Sequence, residues 1–134
     1  MFETLEHVVG QGLSAYNRRF APPAARIPLG VAARDAEGTV GGIVAGTAWT
    51  ESGRGWLYVD MLWVADAYRC RSLGGELLRR AKAEAVRRGC RYAYLATAEF
   101  QERSLYERRG CAVFGVQDDY PPGFRRYFLR KTLP

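Results

Sequence analysis

The stretch from Trp56 to Arg88 constrains the fold more than any other. Nine residues, Trp56-Leu57-Tyr58-Val59-Asp60-Met61-Leu62-Trp63-Val64, form the most apolar run; an eight-residue loop follows, and then a helical pattern. The run, rich in aromatic and branched side chains, reads as a buried strand. From Leu73 to Arg88, Leu73, Leu77, Leu78, Ala81, Ala85 and Val86 share one face, and charged residues cover much of the rest. That is an amphipathic helix with Gly89 as its C′ residue. A loop entering a helix N-terminus carries unpaired N–H groups and the positive end of the helix dipole, which suits phosphate. This loop also holds Arg69, Arg71, Ser72, Gly74 and Gly75. It lacks the Gly-Lys-Ser/Thr of a Walker loop. It also follows a meander rather than the first parallel strand that a dinucleotide fingerprint requires.

The flanking segments complete an order α-βββ-α-β-α-β-β. Thr4 to Arg19 has helical apolar spacing, with Thr4 as N-cap and Pro22-Pro23 closing the segment. Leu29–Arg34 and Thr39–Thr50 are strands joined by the hairpin signal Asp35-Ala36-Glu37-Gly38, and with Trp56–Val64 they form an antiparallel meander. Tyr92–Thr97 is a strand, Glu102–Arg109 a short helix, and Cys111–Val116 and Phe124–Arg130 a final strand pair. With 134 residues, no linker and no internal repeat, the expectation is one mixed α/β domain over residues 1–134.

Composition removes several chemistries. The three cysteines, Cys70, Cys90 and Cys111, are widely spaced, so neither a disulfide framework nor a structural zinc site is expected. His7 is the only histidine, which rules out a two-histidine metal centre and leaves nucleophile–histidine machinery almost no material. His7 itself is expected to be a half-buried packing residue of the first helix. No apolar run approaches the roughly 20 residues of a membrane span, and the start is acidic rather than signal-like, so a cytoplasmic location is expected. The net charge of +6, with eighteen of the 20 basic residues arginine, implies a polyanionic partner: nucleic acid, an acidic protein or a phosphorylated cofactor.

The motifs narrow this choice. Arg69-Cys70-Arg71-Ser72-Leu73-Gly74, followed by Gly75-Glu76-Leu77-Leu78, resembles the phosphate loop Arg/Gln-x-x-Gly-x-Gly/Ala of the GNAT N-acetyltransferases. Leu105-Tyr106-Glu107-Arg108-Arg109-Gly110 is similar to their Leu/Phe-Tyr-Glu-x-x-Gly segment. Tyr58 to Val64, Phe100-Gln101 and Asp119 to Gly123 match a subgroup of small bacterial members, and the resemblance covers about residues 28–131. It implies the GNAT fold, a mixed central sheet of about six to seven strands flanked by helices, and acetyl-coenzyme A as donor. The cofactor would lie between the family's splayed fourth and fifth strands, here Trp56–Val64 and Tyr92–Thr97. Cofactor contacts would come from Leu62, Trp63 and Val64, from Arg69, Cys70, Arg71, Ser72, Leu73, Gly74 and Gly75, and from Glu99 and Tyr106.

The resemblance also implies a reaction. A primary amine, on a small molecule or a protein, would attack the thioester directly in a ternary complex. A strand N–H would stabilise the oxyanion, Tyr106 would protonate the leaving thiolate, and Asp60 would be the base. Strand alternation puts Tyr58, Asp60, Leu62 and Val64 on one face unless a bulge intervenes. A carboxylate inside an apolar strand equally suits a buried hydrogen bond. Ser72 replaces the first motif glycine and Cys70 another. A positive φ would strain serine there, but the expectation is that Ser72 caps the helix. Glu99 stands where many relatives carry asparagine, and Phe124 where small relatives carry histidine. The arginine pairs solvate surfaces, and no metal is expected. Family analogy admits a homodimer through the last strands. The competing readings are a basic nucleic-acid-binding domain and a coenzyme A-binding member without turnover.

Overall fold

A computed structural model describes all 134 residues. Helix α1 (Phe2–Asn17) precedes β1 (Ile27–Asp35), β2 (Gly38–Ala48) and β3 (Gly55–Val64). Helix α2 (Leu73–Arg88), β4 (Cys90–Ala98), helix α3 (Arg103–Arg108), β5 (Ala112–Asp118) and β6 (Arg125–Thr132) follow. The six strands form one sheet in the order β1-β2-β3-β4-β6-β5. Only β3 and β4 run parallel, because α2 carries the chain back across the sheet between them.

Local chemistry accounts for the elements. Asp35 Oδ1 accepts the N–H groups of Glu37 at 2.8 Å and Gly38 at 3.1 Å, closing the β1–β2 turn. Helix α2 buries Gly75, Leu77, Leu78, Ala81 and Ala85 against the sheet. Its outer side is laced by Glu76 with Arg79 and Arg80, and by Glu84 with Arg87 and Arg88. Gly89 ends α2 at φ 105°, where a Cβ would strike the Thr50 carbonyl. The core lies between α2 and one sheet face, around Leu57, Leu78, Leu95 and Leu129, each under 3% exposed.

Helix α1 departs from expectation. It starts at Phe2, with Met1 rather than Thr4 at the cap position, and it buries no residue. His7 is exposed, so it packs nothing. The apolar stripe Leu5, Val8, Val9 and Leu13 is more than half exposed because no surface of this chain lies against it.

Candidate functional site

Strands β3 and β4 are paired only from Gly55–Cys90 to Val59–Leu95, and beyond that pair they part. The cause sits on the other side of β3. Val44 pairs with Met61 and Ala45 with Val59, which leaves Asp60 as the extra residue of a β-bulge. A bulge inverts the side-chain phase. Leu57 and Val59 point into the core before it, and Leu62 and Val64 pack against the core after it. Tyr58 therefore does not share a face with Leu62 and Val64, which corrects the simple alternation. Asp60 is exposed and has no ion-pair partner. No burial penalty arises, and its carboxylate stands free where the strands diverge.

The parted edge is polar. The Ala65 N–H bonds to Val40 O on β2 at 2.8 Å, so alternation turns the main-chain groups of Leu62 and Val64 toward the gap. One of these is already used: Arg69 Nε donates to Val64 O at 3.0 Å, and its guanidinium also pairs with Asp66 at 3.3 Å. The Leu62 groups and the Val64 N–H stay available, while Trp63 exposes 53% of its surface outside the core.

The gap opens onto the loop that enters α2. No main-chain N–H from Cys70 through Gly75 bonds to another main-chain group; the first helical bond is Glu76 N–H to Ser72 O at 3.1 Å. Six consecutive donors at the positive end of a helix form an anion cradle. Cys70 has φ 62° and Ser72 φ 61°, both left-handed, and Ser72 makes no side-chain capping bond. The expected serine cap is thus not formed. Both positions demand the conformation glycine adopts freely, and they meet that demand with strain. The loop is braced from outside, where Tyr68 Oη donates to Asp35 Oδ2 at 2.6 Å and Arg71 leans on the Tyr68 ring at 5.5 Å.

Helix α3 docks on this loop. A Cβ on Gly74 would lie 3.4 Å from Leu105 and 3.9 Å from Val64, so the β3 end, the α2 start and α3 meet at a residue without a side chain. On α3, Tyr106 is buried, and burial pushes its phenol up to about 12, with the neighbouring Cys111 and Glu102 adding smaller contributions. The end of α3 is pinned by the only two lysines: Lys131 Nζ reaches Arg109 O at 2.8 Å and Lys82 Nζ at 3.4 Å. The Arg109 guanidinium occupies the space a Gly75 side chain would fill, beside the cradle. Arg109 is thus one of the paired arginines that does not merely solvate a surface. Its signal was Gly75, the second of two glycines at a helix start.

Glu99, next after the end of β4, is tied to β6. Its Oε1 accepts the Arg125 N–H at 3.0 Å, and its own N–H donates to Arg125 O at 2.8 Å, so it closes the start of β6. Gln101 is likewise structural: its Oε1 takes the Ala98 N–H at 2.7 Å and caps the end of β4. No group of three or more potential metal ligands is present, and no helix is long and apolar enough to cross a membrane.

Two strands that part at a polar edge, a loop of six unpaired main-chain N–H groups, and Tyr106 buried in the core cluster are the features to compare with known proteins. An acetyltransferase of Agrobacterium fabrum is 35% identical over 129 residues, covering 96% of this chain and 90% of its own. Blasticidin-S acetyltransferase of Streptomyces morookaense is 37% identical over 94 residues, 69% of this chain and 65% of that protein's length. The crystal structure of an acetyltransferase from Bacillus cereus superposes with a TM-score of 0.86 at 24% identity, covering 96% of this chain and 91% of that one. Residues 5–111 match the acetyltransferase (GNAT) family, and the chain belongs to that family of acetyl-CoA-dependent N-acetyltransferases.

Proposed function

We propose that the protein transfers the acetyl group of acetyl-CoA to a primary amine of a small molecule, by direct attack within a ternary complex. The observation carrying this reading is the parting of β3 and β4 beyond Val59–Leu95 together with six unpaired N–H groups in the loop that follows β3. The residues present fit the cofactor. The cradle from Cys70 to Gly75, with Arg69, Arg71 and Arg109 around it, suits a pyrophosphate, and the free groups of Leu62 and Val64 suit an amide-bearing arm. Acetyl-CoA supplies an acetyl group activated as a thioester.

The chain's own groups do the rest. The N–H groups turned to the gap stabilise negative charge developing on the thioester oxygen. Asp60 holds the incoming ammonium and accepts its proton, directly or through water, so that the nitrogen lone pair is free to attack. As the C–N bond forms the nitrogen releases its second proton to solvent, and as the C–S bond breaks Tyr106 gives its proton to the departing sulfur and regains one from water. A phenol at about 12 holds that proton throughout the neutral range. The name of the Streptomyces relative gives blasticidin S as its acceptor, which supports a small-molecule acceptor over a protein here.

Tyr106→Phe and Asp60→Asn test the assignment. The phenylalanine variant should lower kcat tenfold or more while the dissociation constant for coenzyme A stays within twofold. The asparagine variant should lower kcat/KM and displace the acidic limb of its pH profile. Full turnover in Y106F removes the phenol from the mechanism, and a slowed D60N with an unmoved profile makes Asp60 structural.

A further inference from the structure

The sheet face opposite α2 holds a second feature. Cross-strand register aligns Gly46 on β2, Tyr58 on β3, Tyr94 on β4 and Arg130 on β6 in one row. The row lies one residue pair below Val59–Leu95, where β3 and β4 part. It is the floor of a cavity of about 360 Å³, within the range of roughly 300–1,000 Å³ typical of small-ligand sites. A larger space of about 700 Å³ along α1 is lined by that one helix and no apolar residue, so it has no opposing wall.

The lining of the smaller cavity is chemically specific. Trp56, Tyr58, Tyr94 and Phe114 present aromatic faces, and Gly46 leaves open the space a side chain would take. Two guanidiniums complete it. Arg26 lies 4.6 Å over the Tyr58 ring and donates to Tyr94 Oη at 3.1 Å, while Arg130 lies 5.0 Å from the Phe114 ring centre. The wall that carries Arg26 is anchored by the Trp49 indole N–H, which bonds to Pro22 O at 3.1 Å. Neither Arg26 nor Arg130 pairs with a carboxylate, and no acidic residue lines the cavity. Flat apolar walls stack planar rings, and unpaired guanidiniums bind carboxylates or phosphates through paired hydrogen bonds. The same charges repel an acceptor carrying several ammonium groups. Asp60, two residues beyond Tyr58 along β3, is the one nearby carboxylate of that strand and suits a single ammonium.

We infer that this groove is the acceptor subsite, and that it selects a primary amine carried on a planar aromatic body with an acidic group. The inference rests on the proposed amine acetylation and adds the identity of the amine. The amine would enter at the parted strands, the ring would lie among Trp56, Tyr94 and Phe114 beside the Arg26 guanidinium, and the acid would face Arg26 and Arg130.

The test uses 4-(aminomethyl)benzoate, benzylamine and the polycationic amine kanamycin as acceptors, following thiol release. Binding of 4-(aminomethyl)benzoate to the coenzyme A-loaded protein is measured separately by calorimetry. The acid should exceed benzylamine in kcat/KM by about tenfold or more, and kanamycin should be the poorest. Arg26→Gln and Arg130→Gln should each bring the acid toward parity with benzylamine, lowering kcat/KM for the acid by a factor at least about fivefold greater than for benzylamine. Binding of the acid that both variants weaken, without turnover of any amine, would sink acetyl transfer as the reaction but keep the subsite. Preferred turnover of kanamycin, or an acid-to-benzylamine ratio unmoved in both variants, would overturn the subsite and leave acetyl transfer standing. Self-association that Trp56→Ser abolishes, with no binding of the acid, would assign the groove to a second copy of the chain and likewise overturn the inference.

Discussion

Ser72 shows how a single residue sets the quality of the cradle. At φ 61° it lies in a region that costs a residue with a Cβ on the order of 1–2 kcal/mol, and no side-chain bond offsets this. The extra freedom of glycine in the unfolded chain returns part of that cost. Ser72→Gly should therefore raise stability by about 1 kcal/mol in a denaturant titration and leave coenzyme A affinity equal or tighter. Weaker binding by the glycine variant would mean that the hydroxyl contributes a contact of its own. The position was readable from the motif, but its backbone state was not. Serine is a preferred helix cap but a strained stand-in for a motif glycine, and only the course of the loop decides which of the two it is here. Glu99 illustrates the same limit, since its partner Arg125 lies 26 residues away.

At the level of elements, α2 does two jobs. Its inner face builds the core and its first turn builds the cradle, and both were legible because helical periodicity is local. Its outer face sets a pH dependence. Glu76 is held down to about 2 by hydrogen bonds from Arg79 and Arg80, and Glu84 to about 2 by Arg87 and Arg88. Carboxylates lowered in the folded state stabilise it above their unfolded value near 4.5 and lose that contribution as pH falls toward 2. Thermal unfolding should thus show a melting temperature that declines between those limits. Glu84→Gln should flatten the decline, and high salt should shrink the share carried by Arg79, Arg80 and Arg87, which are exposed, more than that of the half-buried Arg88. Helix α3 is six residues long and could not persist alone; packing on Gly74 and the two lysines at its end hold Tyr106 in place.

For the molecule as a whole, the basic charge finds its explanation in where arginines converge rather than in their number. Arg69, Arg71 and Arg109 surround the cradle on one side of the sheet, while Arg26 and Arg130 face the groove on the other. Saturating coenzyme A should raise the melting temperature through mass action, by about 2.7 kcal/mol of stability at a hundred times its dissociation constant. A duplex oligonucleotide at physiological salt should leave it unchanged. The reverse pattern would favour nucleic acid as the polyanion. The order of elements along the chain, the glycine- and arginine-bearing loop into α2 and the short helix of Tyr106 were determined by the sequence itself, because periodicity, turn residues and helix-end chemistry act over a few neighbouring positions. The bulge at Asp60, the parting of β3 from β4, Arg109 against Gly75 and the row from Gly46 to Arg130 were decided only by tertiary structure. Each depends on which residue of one strand or helix comes to lie opposite which residue of another, and that register is a property of the assembled sheet.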